Sequence, residues 1–361
     1  MGPAFAMLRR GNAFAGSSNG RIALSESVHL GSSPSPAALI KIVPVDLDGS
    51  FVAQNAKIML MEKDIKYDND WFKKRALESL VSTAPHIWDY SDSLLLYLSS
   101  GVEQYESLQK TDTPYFKLVT KPEREYLQSI AKNVIDLLPS KFEYIDLGPG
   151  TEHKEQFFFD ELKKQGKEFT YIPVDISEYY LKLAEKHAKD QNIPIRSIQA
   201  SFEEVAAILG ENTVPRFVNI GLTFSNYAPQ TILDMLKEIA GKDGFVFINS
   251  QMRDRVDMIA LQKVYGEDAL TLADGKLKLI GLNPDTDVSI READDRISVW
   301  CSVLNVSKEI EERGVANGDK VLVFQSLRYT KEQLENELKK ISPEYHIFDT
   351  GTSFIAGLIK V

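Results

Sequence analysis

The sequence predicts an α/β protein: a largely parallel sheet with helices on both faces, joined to a second, smaller α+β part. Short apolar segments alternate with amphipathic helical segments over residues 143–250, which indicates strand–helix–strand units. Several of the short segments are apolar almost throughout, as strands buried on both faces are. A chain of 361 residues that is 43% hydrophobic is longer than one small domain requires.

The beginning of the chain has the composition of a flexible tail. Residues 1–45 are rich in Ser, Gly, Ala and Pro, and no acid precedes Glu26. Two other interpretations stay open. The arginines and serines of this stretch suit a transit peptide, and "MGPAF" suits an added leader ahead of Met7.

Between the tail and the alternating region, the spacing of apolar residues predicts helices. The predicted helices span residues 64–80, 91–108 and 121–138. Pro122 falls in the first turn of the third helix, where the missing N–H of proline costs little.

The alternating region begins with the predicted strand EYIDL and ends with the predicted strand GFVFINS. The strands between them are FTYIPVD, PIRSIQA and PRFVNIGLTF. The helices that connect these strands are HKEQFFFDELKKQ, SEYYLKLAEKHAKDQ, FEEVAAIL and APQTILDMLKEIA. This order predicts parallel pairing, because a helix returns the chain to the same end of the sheet after each strand.

From about Arg255 the alternation stops. A helix that contains MIALQKVYG is followed by loop-rich sequence and then by two long strands, DRISVWCSVL and DKVLVFQSLRY, which we predict to be antiparallel. A helix over residues 330–340 leads into YHIFD and SFIAGLIKV. These last two strands are predicted to form a hairpin that completes the first sheet.

Charge and composition exclude several classes of partner. The net charge of −10 and the pI of about 5.2 lack the basic footprint of a nucleic-acid-binding protein. No apolar run approaches the roughly 18–20 residues of a membrane span, so no membrane partner is predicted. The single cysteine, Cys301, excludes an internal disulfide, and no CxxC or HExxH motif predicts a metal site. A reducing, cytoplasmic compartment is expected.

The stretch EYIDLGPGTEHK carries the strongest functional signal. Gly148 and Gly150 follow a buried strand, and glycine lets the backbone turn sharply and approach a ligand closely. Asp175 ends the next strand, where a carboxylate can accept hydrogen bonds from both ribose hydroxyls of a nucleoside. Thr151 completes the turn, and Lys154 is placed to pair with a ligand carboxylate. The pattern predicts a site for S-adenosylmethionine (SAM), which has a nucleoside and an amino acid part.

Two alternatives to a SAM site stay open at this turn. An NAD-linked oxidoreductase uses a similar device, although its GxGxxG pattern has a third glycine where this chain has His153. The turn can also be an ordinary connection within a structural α/β unit.

The third predicted strand ends at Ser201 and Phe202. Phe202 is placed to pack on an adenine ring, and the Ser201 hydroxyl is placed to contact it. The alternative for Ser201 is a helix N-cap, because Glu204 completes the capping pattern S-x-x-E.

With GLTFSNYAP after the fourth strand, these motifs form a recognisable set. GLTFSNYAP, DLGPGTEHK, YIPVDIS and SLRYTKEQL together resemble the SAM-dependent histidine-specific methyltransferase family. That family includes the enzyme that trimethylates the α-amine of histidine in ergothioneine biosynthesis and fungal enzymes that N-methylate prenylated tryptophan. The resemblance runs from about Tyr97 to the end of the chain.

The resemblance implies a division of the chain into two domains, with the substrate between them. Residues 96–254 and 328–361 would form a Rossmann-like methyltransferase core. Residues 46–95 and 255–327 would form the smaller α+β substrate domain, after the tail of residues 1–45.

The resemblance also implies roles for single residues. Positions that match the family's SAM contacts are Gly148, Gly150, Lys154, Asp175, Phe202 and Gly221. Asn226 matches an asparagine that orients the substrate's amine and carboxylate. Further matches to substrate contacts are Tyr97, Tyr115, Phe116, Tyr265 and Ser326.

Departures from the family pattern point away from histidine as the substrate. Phe324 stands where the histidine enzymes have a glutamate that contacts the imidazole, and phenylalanine cannot accept a hydrogen bond from a ring N–H. Val299 replaces a methionine and is expected to make room. Ser201 replaces an acid that contacts adenine, and Lys117 replaces a proline. An aromatic or apolar amine fits this set better than histidine.

Three of these residues have simpler interpretations. Tyr97 suits a core position, Asn226 suits a helix cap near Pro229, and Tyr265 suits an exposed helix end.

The function expected from these residues is SAM-dependent N-methylation of a small amino acid or amine, with S-adenosylhomocysteine (SAH) as the product. Asn226 would orient the acceptor, and Tyr97 or Tyr115 would relay a proton through water. Alternatives are histidine Nα-methylation, an NAD-linked oxidoreductase, and a SAM-binding protein without catalysis.

Overall fold

The computed structural model describes residues 67–97, 99–293 and 295–361. All of them belong to one unit that spans residues 61–361. The predicted tail, residues 1–45, and residues 46–66 of the segment 46–95 lie outside the described residues.

The first described elements are a helix and a small hairpin. Helix α1 (Asn69–Ser79) begins after Asp68, whose Oδ1 accepts from the Trp71 backbone N–H at 3.0 Å. Strands β1 (Val81–Ala84) and β2 (Ile87–Asp89) follow. Neither strand was predicted, because each is very short and Pro85 and His86 interrupt the apolar pattern between them.

The predicted helix over residues 91–108 is divided in the structure. A 3₁₀ turn (Ser93–Tyr97) precedes helix α2 (Ser99–Leu108). A Cβ at Gly101 would collide with the Leu96 carbonyl oxygen, so the fold around the junction depends on a residue without a side chain. A π-helical turn (Phe116–Thr120) then leads into helix α3 (Lys121–Asp136), which was predicted.

The alternating region forms the predicted strands and helices. The strands are β3 (Lys141–Leu147), β4 (Glu168–Asp175), β5 (Ile198–Gln199), β6 (Arg216–Gly221) and β7 (Phe245–Gln251). The helices between them are α4 (Gln156–Lys164), α5 (Glu178–Asp190), α6 (Phe202–Leu209) and α7 (Pro229–Ala240). The five strands pair in parallel, as predicted.

The chain's last three elements complete this first sheet. Helix α10 (Lys331–Ile341) is followed by β11 (Tyr345–Asp349) and β12 (Phe354–Lys360), which form the predicted hairpin. The strand order is β11-β12-β7-β6-β3-β4-β5. The chain moves from β3 outward to β5 and then returns to the other side of β3, so β3 and β6 flank the point where a ligand crevice is expected.

A second sheet is built from residues 81–89 and 283–327. Helix α8 (Met258–Leu279) precedes β8 (Asn283–Ala293), β9 (Arg296–Leu304), the short helix α9 (Lys308–Glu311) and β10 (Lys320–Leu327). The strand order is β1-β2-β10-β9-β8. Strands β9 and β10 are antiparallel, as predicted. Strand β8 was expected to be loop, because Asn, Pro and Asp dominate its first half.

Separate apolar clusters hold the two sheets. One cluster joins α8 to the second sheet and includes Tyr265, Val299 and Phe324. Two others cover the two faces of the first sheet, as the apolar strands predicted. Of the helices in the described residues, none combines the length and the apolar character that crossing a membrane requires.

Candidate active site

A cavity lies where the carboxyl ends of β3, β4 and β6 meet α8 and the end of β10. Most of the predicted site residues line it, although they come from distant parts of the chain. The predicted residues that line the cavity are Tyr97, Tyr115, Gly148, Gly150, Lys154, Asp175, Phe202, Gly221, Asn226, Tyr265, Phe324 and Ser326. Four predicted residues lie elsewhere: Phe116, Thr151, Ser201 and Val299.

The glycine turn after β3 has the backbone conformation that the sequence predicted. Gly148 and Gly150 have φ values of +73° and +66°, which residues with a side chain rarely adopt. A Cβ on Gly148 would lie 3.5 Å from the Phe202 ring. The turn and this ring therefore lie against each other at the edge of the cavity.

Two buried acids, Asp146 and Asp175, lie at the carboxyl ends of β3 and β4. Asp146 accepts hydrogen bonds from the Tyr171 hydroxyl at 2.9 Å and from the Asn219 amide at 2.8 Å, so it ties three strands together. Oδ1 of Asp175 accepts from the Ser177 backbone N–H at 2.8 Å. Burial raises the pKa of each carboxyl to about 7, and for Asp146 the nearby Glu155 adds to the effect.

Lys154 reaches into the cavity but is paired with acids of this chain. Its Nζ lies 3.0 Å from Glu123 Oε2 and 3.8 Å from Glu152 Oε2. Burial alone would lower the pKa of Lys154, but Glu123 and Glu152 outweigh burial and raise it. The other oxygen of Glu123 accepts from the Asn249 amide at 2.9 Å. The positive charge of Lys154, which was predicted to pair with a ligand carboxylate, is therefore paired with Glu123 and Glu152 of this chain.

Glu123 was not among the predicted site residues, although the sequence carries a signal for it. Glu123 lies three and four residues before Tyr126 and Leu127, so it falls on the apolar stripe of α3 rather than on its polar face. A buried acid requires a partner of opposite charge or a hydrogen-bond donor, and Lys154 in the cavity lining is that partner for Glu123.

The Glu152 side chain shows whether the cavity suits a ligand such as SAM. Its side chain folds over the glycine turn, so that Oε2 would lie 2.8 Å from a Cβ on Gly150. Its Oε1 is buried and has no hydrogen-bond partner among the described residues. A buried, unpaired carboxylate oxygen beside a glycine turn suits a cationic donor such as the ammonium of the cofactor's amino acid part. Together with Asp175 and Phe202, this arrangement fits SAM.

One wall of the cavity is aromatic. The rings of Tyr265 and Phe324 are stacked, with centroids 5.5 Å apart and planes 15° apart. The Tyr115 ring meets Tyr265 edge-on at 5.7 Å. A flat apolar or aromatic group can pack against this wall.

A second group of tyrosines surrounds Tyr97. The Tyr97 ring lies 5.5 Å from that of Tyr105 and 6.2 Å from that of Tyr180, both edge-on. Burial raises the pKa of Tyr97 and of Tyr115 above the usual value. These phenols are therefore neutral at physiological pH and act as hydrogen-bond donors and acceptors rather than as phenolate bases.

Ser201 takes the capping role that the sequence left open. It is the N-cap residue directly before α6, and Glu204 Oε2 accepts from both its backbone N–H at 3.2 Å and its hydroxyl at 2.8 Å. Ser201 is buried and does not line the cavity, whereas Phe202 does.

The other three residues are displaced for different reasons. Val299 is fully buried in the core of the second sheet, where it pairs with Phe324, so it does not open space in the cavity as expected. Phe116 begins a π-helical turn, and its backbone N–H donates to Thr113 Oγ1 at 3.1 Å. Thr151 is half-buried in the turn after β3.

The simpler interpretations of Asn226 and Tyr265 do not hold. Helix α7 begins after Ala228, and Asn226 ends the preceding 3₁₀ turn on the cavity wall. Tyr265 lies within α8 and is only 8% exposed. Both side chains are therefore available to a ligand in the cavity.

One group of residues has the composition of a metal site. His153, Glu155 and His187 bring three potential ligand atoms within 4.8 Å of one another. The two imidazole rings are stacked, with centroids 4.1 Å and planes 15° apart, so their in-plane lone pairs do not converge on one point. The hydrogen bond to Glu155 raises the pKa of His153, whereas burial lowers that of His187. The geometry favours a hydrogen-bonded cluster.

Comparisons with known proteins give a family and a relative. Residues 72–253 match the sequence model of a family described as histidine-specific methyltransferase, SAM-dependent. The chain is 28% identical over 135 residues to the N-methyltransferase dtpB of Aspergillus flavus. That match covers 36% of this chain and 37% of the relative, so it spans less than half of the relative's length.

Solved structures with partial similarity were also found. A SAM-dependent methyltransferase from Clostridium acetobutylicum is 16% identical, with a TM-score of 0.39, over 72% of this chain and 98% of that one. The PH0226 protein from Pyrococcus horikoshii is 13% identical, with a TM-score of 0.42, over 73% of this chain and 99% of that one.

Proposed function

The chain belongs to the SAM-dependent histidine-specific methyltransferase family, and we propose that it methylates the amine of a small aromatic or apolar amino acid rather than that of histidine. The observation that carries the choice of acceptor is the stacked pair of Tyr265 and Phe324 in the cavity lining.

We propose that the carboxyl ends of β3 and β4 hold the cofactor. The Asp175 carboxylate would accept hydrogen bonds from the ribose hydroxyls, and the Phe202 ring would pack on adenine. Gly148, Gly150 and Gly221 would let the backbone approach the ligand. The unpaired oxygen of Glu152 would accept from the ammonium of the amino acid part.

The transfer itself needs positioning more than acid–base strength. Bound SAM supplies a methyl group on a sulfonium, which is already activated toward a nucleophile. The residues of this chain would hold the acceptor's nitrogen about 3 Å from that methyl, in line with the bond that breaks. Asn226, which lines the cavity, would orient the amine.

The acceptor's amine must lose a proton before transfer, because it is an ammonium at neutral pH. Removal from water lowers the pKa of an amine and favours this loss. Tyr97 and Tyr115, which remain protonated, would hold a water molecule that carries the proton away rather than take the proton themselves.

Phe324 is the residue that argues against histidine. Its ring stacks on Tyr265 and offers no hydrogen-bond acceptor to an imidazole N–H. A polar ring placed there would lose its hydrogen bonds to water without replacement, which costs more than the apolar contact returns. An indole, phenol or phenyl group buries apolar surface against the same wall.

A screen with radiolabelled SAM tests the proposal. The acceptors are phenylalanine, tyrosine, tryptophan and histidine, each with its decarboxylated amine. We expect label on at least one aromatic amino acid and little on histidine. Preferential labelling of histidine would replace the proposed acceptor. Labelling of no acceptor, together with SAH binding by calorimetry, would favour a SAM-binding protein without catalysis.

A further inference from the structure

Arg328, the residue after β10, is a buried cation on the cavity wall. It is 2% exposed. Its Nη1 donates to Ser326 Oγ at 2.7 Å and to the Leu327 carbonyl at 2.8 Å, and its Nη2 donates to the Tyr265 hydroxyl at 3.1 Å. All three of these acceptors are uncharged.

The guanidinium lacks a counter-ion within the part of the chain that the structure describes. No Asp or Glu there forms an ion pair with Arg328, and its buried Nε–H has no hydrogen-bond partner. Burying a charge without an opposite charge is unfavourable, as is burying an N–H without an acceptor. Lys154 at the same cavity differs, because two carboxylates face it.

The surroundings of Arg328 hold it in one orientation. Phe324, Ser326 and Arg328 alternate along the end of β10, and all three line the cavity. The guanidinium carbon lies 5.5 Å from the centre of the Tyr265 ring. The guanidinium is therefore held in place before a ligand binds, and it lies directly beside the aromatic residues of the cavity lining.

We propose that Arg328 binds the carboxylate of the methyl acceptor. The inference rests on the proposed function and deepens it, because it names the residue that holds the carboxylate of the amino acid acceptor and explains why a simple aromatic amine would be a poorer acceptor. The free Nε–H gives the planar guanidinium a donor for a carboxylate oxygen. The acceptor's aromatic group would pack beside Arg328 on Phe324 and Tyr265. Ser326 is a positioning residue, because its hydroxyl accepts from the guanidinium.

The cofactor carries a carboxylate as well, and the two sources require separate measurements. Arg328 follows a strand of the second sheet, whereas the glycine turn, Asp175 and Glu152 belong to the first sheet or follow its strands. The placement on the aromatic wall favours the acceptor's carboxylate. The affinity for SAH alone tests whether Arg328 binds the carboxylate of the cofactor. The preference for an acid over its amide or amine tests whether Arg328 binds the carboxylate of the acceptor.

The first experiment needs no variant. Initial rates of wild-type protein are compared for tryptophan, tryptophanamide and tryptamine, and for the matching phenylalanine and tyrosine series. We expect kcat/KM for the acid to exceed that for the amide and the amine by about 100-fold or more, because a buried donor left unpaired discriminates strongly. Equal use of the acid and its amide would overturn the proposal.

The second experiment replaces Arg328 by Met, which keeps a long apolar side chain and removes the charge. We expect kcat/KM for the acid to fall about 100-fold while that for the amine stays within about threefold. SAH affinity should stay within about twofold, and Arg328→Lys should restore part of the acid preference. Equal losses for acid and amine would contradict the proposal, and a large loss of SAH affinity would assign Arg328 to the cofactor.

Calorimetry separates failure of this inference from failure of the proposed function. If the protein methylates no amine, SAH-loaded wild-type protein is titrated with tryptophan, phenylalanine, tyrosine and their amides. Selective binding of an acid that Arg328→Met abolishes would support the carboxylate site without catalysis. Binding of acid and amide alike, or of neither, would overturn it.

Discussion

At the scale of single residues, the site depends on buried groups whose charge the fold controls. Asp175 is the clearest case, because burial raises the pKa of its carboxyl to about 7. A carboxylate accepts hydrogen bonds from both ribose hydroxyls, whereas a protonated carboxyl is a poorer acceptor. In the proposed function, binding of the cofactor is therefore coupled to loss of a proton from Asp175.

This coupling predicts that affinity for SAH rises with pH. Below pH 7 part of the binding free energy is used to ionise Asp175, so affinity should increase about tenfold from pH 6 to pH 8 and level off above pH 8. Calorimetry at a series of pH values measures this dependence. Asp175→Asn should bind SAH more weakly and lose most of the pH dependence. A flat profile for the wild type over this range would contradict the assignment.

Phe324 is expected to decide which amino acid is accepted. Phe324→Glu places a hydrogen-bond acceptor where an imidazole N–H would lie, so the ratio of kcat/KM for histidine to that for phenylalanine should rise at least about tenfold. Competition assays with both amino acids measure that ratio. Phe324→Leu is the control, because it removes the ring without adding an acceptor and should continue to exclude histidine. An unchanged ratio in Phe324→Glu would show that another residue sets the preference.

At the scale of helices and strands, patterns along the sequence predicted most of the first sheet and its helices. Each strand of that sheet carries its own apolar run, and each helix its own stripe, so local pattern and tertiary burial agree. Strand β8 was missed because its Asn, Pro and Asp residues look like a loop, and pairing with β9 decides its conformation.

The difference between local pattern and distant contacts also explains which candidate site residues could be predicted from the sequence. Gly148 and Asp175 follow strands at a fixed place in an α/β unit, so their position is local information. Arg328 is buried by the Tyr265 side chain, which comes from a helix 63 residues earlier in the chain. From the sequence alone, an arginine after a strand is expected to be exposed, because the position of α8 is not known. The motif SLRYTKEQL therefore predicted no role for Arg328.

Helix α3 offers a test of the buried ion pair. Glu123→Gln would leave Lys154 with only the more distant Glu152, so the free energy of unfolding should fall by roughly 2 kcal/mol. Glu125→Gln, two residues away and exposed on the same helix, should change it by less than about 0.5 kcal/mol. Urea unfolding of both variants measures the difference. Equal effects would show that the pair with Lys154 is not a source of stability.

At the scale of the whole molecule, residues that belong to or follow the strands of both sheets line one cavity. The first sheet supplies the glycine turn and the acids, and the second sheet with α8 supplies aromatic rings and a buried cation. In the proposed function, the cofactor would contact residues of the first sheet and the turn after β3, and the carboxylate of the acceptor would contact Arg328. The domain boundaries inferred from the sequence remain a prediction, which limited proteolysis with and without SAH can test.

Cofactor choice is also testable on the whole molecule. SAH at about 100 times its dissociation constant should stabilise the folded protein by about 2.7 kcal/mol, whereas NADH at the same concentration should not. Thermal unfolding with each ligand measures the effect, and Asp175→Ala should remove most of the SAH response. Stabilisation by NADH and not by SAH would favour an oxidoreductase.

The proposed function is tested most directly by locating the transferred methyl group. Wild-type protein is incubated with SAM and an equimolar mixture of phenylalanine, tyrosine, tryptophan and histidine, and the products are fragmented in a tandem mass spectrometer. The account predicts one or more added methyl groups on the amine nitrogen of an aromatic amino acid. Methylation of histidine alone, methylation at oxygen or carbon, or no methylated product would contradict it.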